Sequence, residues 1–202
     1  MGIAERRTKQ KAEMKQAVLN AALSLFIDEG YESISIRKIA ERIEYSPSTI
    51  YLYFKDKDEI LFNLHDLGFE ALYKHQLEVQ SVPDPLERMM AHGRAYLKFA
   101  IEHQEYYDIM FIVRSPSKFI EKYNHWDSGD RAFGLLTKNV RECIDAGYFK
   151  GQNSESVAFL LWSVVHGIAS LIIRKRLILP VSDSSISVLV EESMKVFRSL
   201  IR

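Results

Sequence analysis

Apolar residues recur at helical spacing along almost the whole chain, and the recurrence breaks at a few sharply marked points. Val18, Ala21, Ala22, Leu25 and Phe26 stand at i, i+3, i+4, i+7 and i+8, one face of a helix. Gly30 follows, a residue suited to ending a helix because it tolerates positive φ. Ile36, Ile39, Ala40 and Ile43 repeat the stripe behind Ser35, a candidate N-cap. Ser46-Pro47 is a stronger start signal, because proline at the first helical position loses no hydrogen bond. Tyr45 and Ile50 flank that cap at hydrophobic-staple spacing. Asp56 with Glu59 opens the next helix, which carries Ile60, Leu61, Leu64 and Leu67. Residues 8–54 therefore read as one long helix and two short ones, with a tight turn at Glu44–Tyr45.

Downstream, Pro83-Asp84-Pro85 marks a boundary, with Asp84 as cap and Glu87 completing a box. Leu86, Met89, Met90, Gly93, Leu97 and Ile101 continue the stripe. An aromatic segment from Tyr106 to Val113 ends near Pro116, and residues 115–130 read as loop with one helical turn. Arg131–Ala146 is helical and stops at Gly147; Asn153 or Ser154 caps an apolar helix reaching about Arg174; Ser184–Ile201 is the last helix. No strand pattern of useful length occurs, so the predicted class is all-α. A helix-turn-helix domain is expected over residues 1–57 and a helical-bundle domain over residues 58–202.

Composition changes this picture little. The chain has 202 residues, 47% of them hydrophobic, enough for a real core. Lys+Arg and Asp+Glu both total 27, so net charge gives no vote for nucleic acid. Order matters more: Arg6, Arg7, Lys9, Lys11 and Lys15 form a basic arm near the N-terminus, against Glu5 and Glu13. Cys143 is the single cysteine, which rules out an intrachain disulfide and suggests a reducing, cytoplasmic compartment. No signal-peptide pattern is visible. Val157–Ile173 is the most apolar stretch, but it is interrupted by Ser163, His166, Gly167 and Ser170 and reads as a buried helix, with no membrane partner expected. No metal or cofactor is expected, since His65, His75, His92, His103 and His125 scatter over separate segments.

Two short helices at a sharp turn, packed on a preceding helix, describe a helix-turn-helix whose second helix enters the major groove. That helix reads Ser46-Pro47-Ser48-Thr49-Ile50-Tyr51-Leu52-Tyr53-Phe54. Ile50 and Phe54, at i and i+4, face the core. Ser48, Thr49, Tyr51 and Tyr53 are then free for DNA, where small hydroxyls suit groove approach and tyrosine hydroxyls reach phosphates. With the cap Ser46 they form the candidate contact set. On pattern alone, a helical hairpin with capping serines remains an equal alternative, and with it a helical adaptor that binds protein and no DNA.

Residues 12–62 resemble the N-terminal domain of the TetR/AcrR family of bacterial regulators. The resemblance rests on Ala21-Ala22-Leu23-Ser24-Leu25-Phe26, Gly30-Tyr31-Glu32, Ile36-Arg37-Lys38-Ile39-Ala40 and Ser48-Thr49-Ile50-Tyr51-Leu52-Tyr53-Phe54-Lys55-Asp56-Lys57. It implies DNA contacts from Arg37, Ser48, Thr49, Tyr51 and Tyr53, and a phosphate contact from Lys57. It also implies double-stranded, pseudo-palindromic operator DNA as the partner of a homodimer. Glu44 departs from the glycine common in this turn; a left-handed conformation there costs a non-glycine residue about 1 kcal/mol.

Trp162, His166 and Gly167 resemble a Trp-x-x-x-His-Gly signature of one TetR-type C-terminal subfamily, and the tyrosine-rich segment from His103 to Phe111 is similar to its counterpart there. That implies a helical domain for dimerisation and for binding a small effector. Pockets are mostly apolar with a few polar anchors. On that ground Tyr107, Met110, Phe111, Tyr123, Trp126, Phe133, Trp162 and His166 are the candidate effector residues. For His166 the plainer reading is a core histidine satisfied by a neighbouring hydroxyl or carbonyl. The apolar helix around Val164, Ile168 and Ile172, with Leu189 and Val190 on the last helix, is the candidate dimer surface. The reading is a ligand-responsive DNA-binding regulator, a repressor released by a largely apolar effector, and not an enzyme.

Overall fold

The computed structural model describes residues 2–123, 126–177 and 183–201, with the side chains of residues 3, 122, 123, 183 and 184 outside the description. In chain order the helices are α1 (Ile3–Glu29), a 3-10 turn (Tyr31–Ser33), α2 (Ile36–Arg42), α3 (Pro47–Tyr51), α4 (Lys57–Glu78), α5 (Pro85–Glu102), α6 (Gln104–Phe111), α7 (Arg114–Tyr123), α8 (Asp127–Asp145), α9 (Ser154–Ile173) and α10 (Asp183–Leu200). The described residues contain no strand.

The start signals act as their chemistry dictates. Ser35, Ser46, Asp84 and Asn153 each accept a hydrogen bond from the backbone N–H three residues on. Asp56 accepts from Glu59 N at 2.9 Å, while the Glu59 carboxylate reaches back to Lys55 N. Three expectations are corrected. The basic arm is no separate arm: it is the exposed first part of α1, which begins at Ile3. Of the segment read as loop, residues 115–123 and 127–130 are helical and residues 124–125 lie outside the description; Pro116 sits in the first turn of α7, where the missing N–H has no partner to lose. Helix α8 starts at Asp127, four residues before the expected Arg131, and buries Ser128 and Gly129.

Packing divides the chain differently from residues 1–57 and 58–202. One compact unit comprises residues 1–68 and 105–126; the other comprises 69–104 and 127–202. In the first, Val18, Ala22 and Leu25 of α1, Ile39 and Ala40 of α2, Ile50 and Phe54 around α3, and Ile60, Leu61 and Leu64 of α4 form one core. Ile109 of α6 completes it. Gly68 lets α6 come close to α4: a Cβ there would lie 2.6 Å from Met110 Sδ. In the second unit α5, α8 and α9 pack pairwise, and Gly93 brings α5 against Val165 and Met194. Arg88 pairs with Glu142 and donates to Val82 O at 2.6 Å, tying α8 to the turn before α5. Cys143 is fully buried, its thiol directed at Pro85 O (3.2 Å) and Met89 Sδ (3.8 Å). Burial pushes that thiol up to about 11.

Candidate nucleic-acid interface

The turn between α2 and α3 is a Schellman closure. Tyr45 N donates to Ala40 O (2.9 Å) and Glu44 N donates to Glu41 O (3.2 Å). Glu44 occupies the left-handed position, with φ 60°. This closure joins the two short helices by a tight turn, with a glutamate where glycine would relax the backbone.

Helix α3 is held from below and open above. Ile50 and Phe54 are buried, anchoring it on α1 and α4. Ser48 is exposed, Thr49 partly so, and Tyr51 is 57% exposed. The hydroxyls of Ser46, Ser48 and Thr49 form a cluster, with Ser46 Oγ 2.7 Å from Ser48 Oγ and 3.0 Å from Thr49 Oγ1. Ser46 thus caps the helix and orients two exposed hydroxyls together. Tyr53 corrects the pattern reading. It lies past the end of α3, and its ring packs partly against the core. Leu52 takes the outward position instead, at 76% exposure. Tyr45 is also exposed, so its ring is no part of the core that holds Ile50. These two exposed apolar residues flank the hydroxyl cluster; their signal in the sequence was an apolar residue falling off the stripe.

The cations divide by what holds them. Lys38 and Arg42 are paired to Glu29 and Asp28 of α1, and the Arg42 hydrogen bond draws the Asp28 pKa below its ordinary value. These pairs join α2 to α1. Arg37 stands clear of that set and, among the described residues, pairs within its own helix, to Glu41 at 2.9 Å. Lys57 lies over the Tyr31 ring, its ammonium 4.6 Å from the centroid, at the start of α4. Lys15 sits similarly over Phe54, at 5.5 Å. The surface around α3 therefore offers hydroxyls for base edges, and cations at its rim for phosphates.

Within the second unit, α5 carries an interior polar row. His92 and Tyr96 stand at i and i+4, both buried. Asn139 of α8 donates to His92 Nδ1 at 3.1 Å, and Tyr96 Oη is hydrogen-bonded to His166 Nδ1 at 2.8 Å. The neighbouring hydroxyl expected of a core histidine at 166 is thus Tyr96. Burial lowers the pKa of His166, and that of His92 to about 4, so both rings are neutral at pH 7. Phe133 and His166 each lie against Trp162, with ring centroids 6.2 and 5.8 Å away. These three of the predicted effector residues come together. Tyr107, Met110, Phe111 and Trp126 belong to the first unit, where Tyr107 is buried against Phe111. The Tyr123 side chain lies outside the described residues. Sequence reasoning missed Tyr96 and Asn139, although both fall on buried stripes of their helices.

Two family models match the chain. One, described as bacterial regulatory proteins of the tetR family, covers residues 18–64, which include every candidate DNA-contacting residue. The other, described as the tetracyclin repressor-like C-terminal domain, covers residues 89–197. The chain belongs to the TetR family. It is a DNA-binding transcriptional regulator with an N-terminal helix-turn-helix and a C-terminal helical domain. Among relatives, the transcriptional regulator HbdR of Aromatoleum sp. (strain CIB) is 23% identical over 158 residues, covering 76% of this chain and 68% of its own. AcrR of Shigella flexneri is 26% identical, covering 70% and 69%. A TetR-family regulator from Syntrophomonas wolfei superposes with a TM-score of 0.72 at 21% identity, over 93% of this chain and 96% of its own. The fatty acid degradation regulator FadR of Bacillus halodurans gives 0.72 at 16% identity, over 90% and 93%. These names indicate a TetR regulator rather than an enzyme, and the adaptor alternative gives way to DNA binding. The C-terminal match is drawn at the level of the tetracycline-repressor-like domain, coarser than the Trp-His-Gly subtype.

Proposed function

We propose that this TetR regulator is a cytoplasmic homodimeric repressor that binds a pseudo-palindromic operator and leaves it when a small, largely apolar effector binds the C-terminal domain. The observation that carries the reading is α3 itself: a short helix fixed in a core by Ile50 and Phe54, presenting Ser46, Ser48, Thr49 and Tyr51 outward. A single such helix reads few base pairs, and two-fold dimers place two of them about one DNA turn apart. Arg37 and Lys57 are the proposed phosphate contacts. To reach DNA, Arg37 exchanges Glu41 for a phosphate.

The dimer surface is proposed on α9 and α10. Helix α9 is long and apolar enough to cross a membrane, and only 28% of its most apolar stretch is buried within the chain. A second copy is the cover the family reading supplies. Of the residues proposed from sequence, Leu189 is exposed, while Val164, Ile168, Ile172 and Val190 are half-buried in their own subunit. Leu160, Leu171, Val188 and Val196 are more exposed and join the proposed surface.

The effector is proposed to lie against Phe133, Trp162 and His166. Two buried polar atoms, His92 Nε2 and Asn139 Oδ1, have no hydrogen-bond partner among the described residues. Buried polar atoms are nearly always paired, so an apolar effector with one neutral donor–acceptor group fits this interior. Fatty acids, the class in the name of the Bacillus halodurans regulator, belong in the first ligand screen. The decisive experiment is a mobility shift on the intergenic DNA upstream of the gene. Thr49→Ala and Tyr51→Ala are expected to lose binding by tenfold or more, about 1.4 kcal/mol, with unchanged melting. Ile50→Ala, from a fully buried site, is expected to cost about 2–5 kcal/mol of stability. Wild-type affinity in both surface variants would refute the assignment of α3.

A further inference from the structure

We propose that His75, Glu102 and His103 form a binding site for a divalent transition-metal ion of the zinc type. Glu102 and His103 are neighbours in sequence and His75 lies 27 positions earlier, yet the structure brings all three together where the last turn of α4 meets the end of α5. Their ligand atoms all lie within 4.8 Å of one another. His75 Nε2 is 3.8 Å from Glu102 Oε2, and the His75 and His103 rings are 5.8 Å apart at 77°. Ligand atoms on a tetrahedral ion with bonds of about 2.0–2.1 Å stand about 3.3 Å apart. Small side-chain rotations at Glu102 and His103 close that difference.

The second layer of the site is in place. His75 Nδ1 is 3.0 Å from Ala71 O, one turn earlier on α4. A carbonyl only accepts, so Nδ1 carries the proton and Nε2, the atom facing Glu102, presents its lone pair. Ligating imidazoles are oriented by such a bond from the opposite ring nitrogen. Phe99 packs against both imidazoles, with centroids 5.9 Å from His75 and 5.4 Å from His103, and fixes their planes. Glu102 is half exposed, so the ion has a route in and water or a solute completes its shell. Two imidazoles and one carboxylate suit zinc, cobalt or nickel; calcium and magnesium require oxygen ligands throughout. The ion would clamp α4 to the end of α5. This site is independent of the operator and effector reading above.

The test uses the full-length chain, freed of any histidine tag and of metal, titrated with Zn²⁺ by calorimetry and with Co²⁺ by visible absorption. The expected result is one ion per chain, with the absorption of cobalt bound to nitrogen and oxygen and a raised melting temperature with zinc. Glu102→Gln, at a half-exposed position that leaves the fold intact, is expected to weaken binding by roughly tenfold or more. His75→Gln with His103→Gln is expected to abolish it. Glu78→Gln, an exposed carboxylate one turn further along α4, is expected to bind as wild type. No binding, or binding that survives both the Glu102 and the double histidine changes, overturns the proposal and leaves surface adsorption as its explanation.

Discussion

At the scale of single residues, Glu44 is the clearest local conflict between sequence and backbone. Its φ of 60° is imposed by the Schellman closure after α2, and its side chain is exposed. A non-glycine residue there costs about 1–2 kcal/mol, and glycine returns part of that gain as chain entropy. Glu44→Gly is therefore expected to raise stability by roughly 0.5–1 kcal/mol. A urea denaturation midpoint that stays put or falls would show that the turn is not strained. The conflict was legible beforehand, because a glutamate stood where the resembling sequences often place glycine. The exposure of Leu52 was less legible: its position depends on where α3 ends, and the ends of a five-residue helix are set by its surroundings.

At the scale of elements, caps were the most readable features, since a side-chain oxygen bonding three residues along is a local event. Partners across the bundle were not. Periodicity places His92 and Asn139 on buried faces of α5 and α8, but which face meets which is decided by packing, the two standing 47 positions apart. The same holds for His75 and His103. Pro116 reads in sequence as a terminator, yet it lies in the first turn of α7. The interior row of α5 has a consequence in acid. Burial lowers His92 from 6.5 to about 4. Above pH 6.5 the ring is neutral folded and unfolded, and the fold keeps its full stability. As pH falls from 6.5 toward 4 the unfolded chain takes up the proton first, and stability is lost by as much as about 3 kcal/mol at 1.36 kcal/mol per unit. His92→Gln is expected to flatten the fall of the urea midpoint across that window. A variant whose midpoint falls as steeply as wild type would assign the acid sensitivity elsewhere.

At the scale of the whole molecule, the proposed homodimer makes the sharpest demand. Ile168 was the natural target from sequence, but it is half-buried in its own chain, so a charge there would disturb folding as well as association. Leu171→Glu and Val196→Glu, at exposed positions of α9 and α10, separate the two effects. Each is expected to give a folded monomer by sedimentation, with operator affinity reduced at least tenfold. A dimer that survives both changes would move the interface elsewhere. Measuring such states calls for reporters at chosen positions, and here the burial of Cys143 matters. The chain's single thiol is closed to solvent and held protonated at neutral pH, so maleimide and nitroxide reagents meet a surface without a native target. One cysteine introduced at exposed Leu200 or Tyr51 would then be the sole labelled site in each subunit. The wild-type background supports intersubunit distance measurements by spin or fluorescence labelling, with no native cysteine to remove first.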